Sequence, residues 1–246
     1  MKIVLSAALS LFFLAFSCEG DKKENNASMQ DELNEILDEK VILAEDFKGK
    51  LDEILTLELA AETSGYPAAE AKKSPDSEIE KKYNKISISY SWEKSNRIQT
   101  IEVMGRKIEA PKSDKVELSW FKNTTLAAFK KENHNLTEAE LKQADEAITK
   151  KMAELNSDGK ATKQQTDGAG SIAKNAMRNF SVEEVKNVGD YAVFANTKFA
   201  GVPVRELKVF YKGLSFQLTV DLSDDVSVND SKAIALVQKI INQKLQ

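Results

Sequence analysis

The sequence predicts an α+β fold, in which an antiparallel sheet with flanking helices is preceded by an N-terminal helix and interrupted by a helical insertion. In residues 86–92 every second side chain is apolar and those between are serines, the period of a strand with one buried face. Residues 214–222 repeat the alternation after Lys212 and Gly213, a pair typical of a tight hairpin turn. Residues 231–245 carry an apolar stripe at helical spacing that suits packing on this sheet.

Two helices are predicted ahead of the sheet. Residues 30–49 form the N-terminal helix, because its apolar side chains recur at three and four positions and Gly49 can end it. That stripe suits packing against the domain; a coiled coil or partner-binding helix is the alternative, although the segment is shorter than three heptads. The second helix, Leu57–Ser64, begins after Thr56 as its cap and stops at Gly65.

The remaining strands are predicted from shorter alternations. Residues 97–107 follow turn residues and are expected to pair antiparallel with residues 86–92, while residues 116–120 repeat the same alternation. Residues 191–196 and 204–211 complete the sheet near the C-terminus.

A helical insertion is predicted over residues 123–180, lying across the sheet. One helix covers residues 124–132, and a second runs to about Leu155 with Thr137 as cap and Glu140 completing a capping box. The glycine-containing residues 156–170 are expected to form a flexible loop, and residues 171–180 a short helix.

The first residues have the pattern of an export signal. A lysine at position 2 precedes an apolar run that is shorter than the roughly 20 residues of a membrane-spanning helix. Small residues Ala15 and Ser17 precede Cys18, so we expect a signal peptide over residues 1–17. Cleavage there suits both a lipidated and a simply secreted protein.

Cys18 is the only cysteine of the chain, which favours lipidation, because secreted proteins usually carry cysteines in pairs. The segment resembles the lipobox of bacterial lipoproteins, and its looser form, with Phe16 before Ser17, is similar to those of Bacteroidota. The resemblance implies three acyl chains on Cys18, with a lipid bilayer as partner. It also implies a location in the bacterial cell envelope, at the periplasmic or surface face of the outer membrane. Two or more chains make such anchoring stable.

The organisation that follows is a signal peptide over residues 1–17, a flexible tether over 18–29, the N-terminal helix over 30–49 and an α+β domain over 55–245. Residues 18–29 are small and polar and cannot bury enough apolar surface to fold. A formal net charge of −4 gives no basic face for nucleic acid, so a nucleic-acid partner is not expected.

Catalytic and metal motifs are weak in this sequence. His134 is the only histidine and lies in a polar connector, which excludes sites built from several histidines. Residues 154–165 resemble a calcium loop, but Glu154 and Gln165 stand where Asp and a bidentate Glu are expected, so a plain turn is favoured. The carboxylates lie mostly in charged runs and turns. We therefore predict no catalytic residues, no metal and no cofactor.

Three aromatic residues are the only candidates for a ligand cleft. Tyr90 and Trp92 share a strand face with Ile86 and Ile88, and Trp120 continues an alternation of its own strand, so all three are expected in the core. The alternative is a cleft between the sheet and the helical insertion, with Trp92, Tyr90 and Trp120 along it.

The chain resembles small α+β lipoprotein domains of the PsbP-like type. The resemblance is carried by two segments, Ile88-Ser89-Tyr90-Ser91-Trp92-Glu93 and Val188-Gly189-Asp190-Tyr191-Ala192-Val193, together with the strands over 207–222 and the final helix. Many relatives place a cysteine before the Tyr-x-Trp; here serines stand there, so no disulfide is implied. The family implies a non-catalytic binding or assembly module, and no functional residue is carried over from it.

The functional expectation is a membrane-anchored envelope lipoprotein that is not an enzyme and that binds or helps assemble an envelope protein partner. One alternative is a hydrolase acting on envelope polymers, which needs two converging carboxyl groups, one of them in an apolar setting. A structural lipoprotein without a discrete site is the other.

Overall fold

The computed structural model describes residues 42–75, 86–93, 96–103, 106–199 and 202–246. The signal peptide, Cys18, the tether and residues 30–41 of the N-terminal helix lie outside the described residues. Within them, none of the helices combines the length and the apolar character needed to cross a bilayer.

The predicted α+β fold is confirmed, with its centre in a seven-stranded antiparallel sheet of order β1-β2-β5-β9-β8-β7-β6. A separate two-stranded sheet consists of β3 and β4. The strands are β1 (Lys72–Ser74), β2 (Ser87–Trp92), β3 (Ile98–Val103), β4 (Arg106–Pro111), β5 (Asp114–Asn123), β6 (Ser181–Val185), β7 (Tyr191–Phe199), β8 (Val202–Tyr211) and β9 (Leu214–Asp221).

The helices lie before, within and after the strands. They are α1 (Leu51–Ile54), α2 (Leu57–Ser64), α3 (Leu126–Glu132), α4 (Glu138–Ser157), α5 (Lys163–Arg178) and α6 (Val226–Lys244), with 3-10 turns at Ala44–Phe47 and Ala68–Glu70. The helix predicted at Leu57–Ser64 is confirmed with its Thr56 cap and left-handed Gly65. Of the predicted helix over 30–49, the described part is the 3-10 turn, which Gly49 follows in a left-handed conformation.

One face of the sheet carries the main hydrophobic core. The apolar residues of β2, β5 and β9 point to this face, and α2 and α6 cover it. The residues of α6 buried against this face are Leu236, Val237 and Ile240, which confirms the apolar stripe predicted near the C-terminus. The turn between β8 and β9 has positive φ at both Lys212 (46°) and Gly213 (76°), which confirms the predicted tight hairpin.

The predicted pairing of residues 97–107 with the first strand is wrong. β2 pairs with β5, placing Tyr90 opposite Val116, and with the short edge strand β1. Strand β3 instead forms a hairpin with β4, with Ile101 opposite Ile108. The apolar rows of β2 and β5 match on the core face, whereas most described side chains of the hairpin are exposed, so burial selects the longer-range partner.

The flexible loop predicted over residues 156–170 is also wrong, because α5 already begins at Lys163. Thr162 caps it and Gln165 completes a capping box. Gly170 lies inside α5, where an added Cβ would stand 3.2 Å from Met152 Cγ of α4, so the small residue permits close helix packing. Helices α4 and α5 share a small core of their own around Ile148. The capping box of Thr137 and Glu140 at the start of α4 is confirmed.

Candidate functional site

Tyr90 and Trp92 lie in the core of the domain. Trp92 is fully buried, and its indole N–H donates a hydrogen bond to the Pro67 carbonyl at 3.1 Å. Burial raises the pKa of Tyr90 to about 12. Both side chains therefore belong to the main core and face away from the second surface of the sheet.

Trp120 does not continue the buried alternation of its strand, which corrects the expectation that it is core. The register of β5 and β9 shifts between Ser119 and Lys122, and Trp120 adopts φ = 61° at this bulge. The bulge leaves Trp120 39% exposed. Phe121 takes its place on the core side, where its ring stacks on Phe216 at 5.2 Å between centroids.

His134 lies in the connector between α3 and α4, as the sequence suggested. Its Nε2 is 2.9 Å from a Glu140 carboxylate oxygen, and its Nδ1 is 2.7 Å from the Lys131 carbonyl. The loop that resembled a calcium site has other roles for its polar groups: the Gln165 side-chain oxygen accepts from the backbone N–H of Thr162, and Asp158 pairs with Lys160. Within the described ranges, no three histidine, cysteine or acidic side chains group closely enough to hold a metal ion.

The β3–β4 hairpin is fixed at its base by a buried ionic cluster. Arg97 immediately precedes β3, and its guanidinium donates to Asp114 at 2.8 Å and to Asp221 at 2.7 Å. Asp114 is fully buried and also accepts a hydrogen bond from the Tyr66 hydroxyl at 2.6 Å, which raises the pKa of Tyr66. Lys112 pairs with Asp221 at 2.9 Å. Because Arg97 and Lys112 flank the β3–β4 hairpin and bind Asp114 and Asp221 of the main sheet, this cluster holds the hairpin in place.

The second face of the sheet has a polar region over β5, β8 and β9, and we call this region the polar face. It is built from the side chains that alternate with the core residues of β5, β8 and β9. The register places Ser119, Gln217 and Lys208 in one row across these three strands. The polar face also includes Lys115, Glu117, Glu206 and Thr219.

Other elements wall the polar face. Helix α3 covers its end nearest the β8–β9 turn, where Phe129 packs its ring on Phe210 and on Tyr191. Helix α5 covers the β7 side, where the Thr197 hydroxyl donates to the Ala176 carbonyl at 3.1 Å. Strand β3 lies against β8. These walls leave the side chains between them half-buried.

Two ionisable groups at the centre of the polar face are poorly solvated. Burial raises the pKa of the Glu206 carboxyl, and the nearby Glu117 charge acts in the same direction. Burial likewise lowers the pKa of the Lys208 ammonium, against the opposing effect of Glu206. Glu206 accepts a hydrogen bond from the Gln217 amide at 3.2 Å. Half-buried charges lower the free energy of unfolding, and apolar side chains at the same positions would avoid this cost.

Ion pairs occupy the rim of the polar face. Lys115 binds Glu117 at 2.8 Å, and Lys122 binds Glu132 of α3 at 2.5 Å. Lys115 and Lys122 therefore each already have a carboxylate partner.

A depression with mostly apolar lining lies beside the 3-10 turn at the start of the described chain. It has a volume of about 190 Å³, and Phe47, Leu51, Ile86 and Phe121 line it together with neighbouring backbone. Its lining residues contribute no reactive group beyond Glu45 and Lys48, which pair with each other at 2.9 Å. The polar face is the stronger candidate site.

The amino-acid sequence alone does not single out the polar face as a site. Its signal is present in Glu206-Leu207-Lys208-Val209, where charged and apolar residues alternate, but the same pattern describes any strand with one solvated face. No protein-family model, curated protein or solved structure matches this chain.

Proposed function

We propose that this protein is a lipid-anchored binding module of the bacterial cell envelope, that it is not an enzyme, and that its ligand or partner occupies the polar face. The observation that carries the proposal is the polar centre of that face, where Glu206, Lys208 and Gln217 stand half-buried between α3, α5 and the β3–β4 hairpin. Binding sites commonly fix the orientation of a ligand through a small number of placed polar groups.

The sequence pattern around Cys18 supports the anchor, and the resemblance to PsbP-like domains favours a non-catalytic module. Replacing Cys18 by serine should release the protein from membranes and abolish palmitate labelling. A Cys18→Ser protein that remains membrane-bound would contradict the anchor and leave the proposed site to be judged separately.

Crosslinking in intact cells tests the binding role. Gln217→Arg places a long cation on the floor of the polar face and should reduce recovery of the crosslinked partner. Ala235→Arg is the matched control, because Ala235 is exposed on α6, which covers the opposite face of the sheet. Equal recovery from both variants would contradict the proposal.

A hydrolase acting on envelope polymers is the second candidate, because the polar face holds two carboxyl groups in different settings. Glu117 is paired with Thr219 across β5 and β9. Extending the β8–β9 register by one position beyond Leu207 and Leu218 brings Glu206 to the other side of Thr219. Two strand spacings separate their backbones by about 10 Å. Burial raises the pKa of Glu206, as a general acid requires, whereas Glu117 is paired with Lys115.

Release of fragments from purified peptidoglycan tests this second candidate. A hydrolase should lose activity in Glu206→Gln and keep it in Glu184→Gln, which changes an exposed carboxylate on the edge strand β6. Absence of turnover by the unmodified protein would leave the binding role as the remaining candidate.

A further inference from the structure

Lys208 differs from Lys115 and Lys122 on the polar face because no residue that the structure describes binds its ammonium. Lys115 and Lys122 each have a carboxylate within ion-pair distance. Among the residues that the structure describes, none forms a hydrogen bond or ion pair with the Lys208 ammonium, whose charged neighbours Glu206, Lys122 and Glu132 act on it from further away.

The carboxylates near Lys208 are already engaged. Glu132 binds Lys122, and Glu206 accepts from the Gln217 amide. The side chain of Lys208 therefore keeps three N–H donors on the floor of a partly enclosed surface. Its tip still reaches solvent, since no buried side-chain nitrogen among the described residues lacks a hydrogen-bond partner.

The surroundings of Lys208 are apolar on one side and polar on the other. Val193 of β7 stands directly opposite it and is fully buried, while Gln217 of β9 stands opposite on the other side. An ammonium at such a boundary gains more from an anion than a fully solvated lysine does, because less water is displaced and the local dielectric is lower.

We propose that Lys208 binds a carboxylate or phosphate group of the ligand that occupies the polar face. This inference rests on the proposed binding function and narrows it to ligands with an anionic oxygen group. Gln217 is positioned to help, since one N–H of its amide binds Glu206 and the other is a further donor in the same row. The acidic side chains nearby would disfavour ligands of high negative charge, so a single anionic group is expected.

Titration with small anions, followed by NMR of the lysine side-chain CH₂ groups next to nitrogen, tests this assignment on the full mature chain carrying Cys18→Ser. Sodium acetate and inorganic phosphate are the two probes, added at pH 7 and constant ionic strength against sodium chloride. A saturable shift at Lys208 is expected with at least one probe, and the preferred probe distinguishes a carboxylate from a phosphate ligand.

Variants at two lysines supply the controls. Lys208→Met should weaken binding of the preferred anion by about tenfold or more, the effect of losing a charged hydrogen bond. Lys208→Arg should retain it, and Lys198→Met, which changes an exposed lysine of β7, should leave it unchanged. Absence of a saturable shift, or equal loss in Lys208→Met and Lys198→Met, overturns the assignment. A partner captured normally in cells despite that result would leave the binding function standing.

Discussion

Replacing Arg97 by methionine should lower the free energy of unfolding more than the loss of an exposed ion pair does. The Arg97 side chain is 10% exposed and its partner Asp114 only 1%. The guanidinium donates to Asp114, to the Asp221 carboxylate and to the Asp221 carbonyl at 2.7–2.8 Å. Methionine keeps most of the packing volume but removes these hydrogen bonds, together with two longer ones at 3.5 Å to Asp224 and to the Ser113 carbonyl.

The expected loss is about 3 kcal/mol in the free energy of unfolding, the lower end of the range for breaking a buried ion pair by removing one partner. The lower end applies because Asp114 retains the Tyr66 hydroxyl and Asp221 retains Lys112. In a domain of this size such a loss corresponds to a fall in Tm of about 6–12 °C.

Urea unfolding of Arg97→Met and of the matched control Lys122→Met measures the difference. Lys122 and Glu132 form an ion pair with both side chains about half exposed (49% and 47%), so the control should lose at most about 1 kcal/mol. Equal losses, or a loss below about 1 kcal/mol for Arg97→Met, would refute the claim that the cluster clamps the hairpin.

Three further outcomes are expected. Gly189→Ala should destabilise the fold, because φ is +56° there and the added Cβ would stand 2.6 Å from the Phe210 carbonyl oxygen. Gly168→Ala, in α5 with open space around the added Cβ, should instead stabilise the fold by about 0.5–1 kcal/mol. Urea unfolding that gives both changes the same sign would contradict this. Hydrogen bonds from the backbone and side chain of Thr137 lower the pKa of Glu140 to about 2 from an ordinary 4.5. The depressed pKa means that Glu140 stabilises the fold above pH 4.5 and ceases to do so as pH falls toward 2, so the pH dependence of unfolding in that window should be weaker in Glu140→Gln; an unchanged slope would argue against the capping box. Lys208→Met should raise the free energy of unfolding at pH 7 by on the order of 1 kcal/mol, because it removes a half-buried ammonium, and a loss instead would give Lys208 a structural role.

Local sequence signals predicted local structure well in this protein. Thr56 and Thr137 identified helix starts because a capping side chain acts within three residues of its own position. Lys212 and Gly213 identified a hairpin because two positive φ values in succession suit few sequences. The α+β class followed from the change of period between such segments.

Features that depend on distant parts of the chain were not predicted. The partner of β2 is chosen by matching buried rows, so turn residues next to it did not reveal β5. The bulge at Trp120 reverses which aromatic side chain reaches the core, and alternation alone cannot show a bulge. Gly168 and Gly170 suggested a loop, although both lie within α5.

The candidate site could not be predicted from the sequence either, because it also depends on distant parts of the chain. Glu206 and Lys208 alternate with Leu207 and Val209, so the sequence places them on the face opposite the core. It does not show that α3, α5 and the β3–β4 hairpin close around that face. Their partial burial, and with it their altered pKa values, arises from packing between elements far apart in sequence.

Site-specific photocrosslinking in cells tests the central claim, that the polar face binds a ligand or partner, most directly. A photoreactive amino acid at Thr219 lies in the middle of the polar face, and the same residue at Ala235 lies on the exposed side of α6. A discrete crosslinked product from position 219, with none from position 235, is the predicted result. Equal products from both positions, or none from position 219, would contradict the claim.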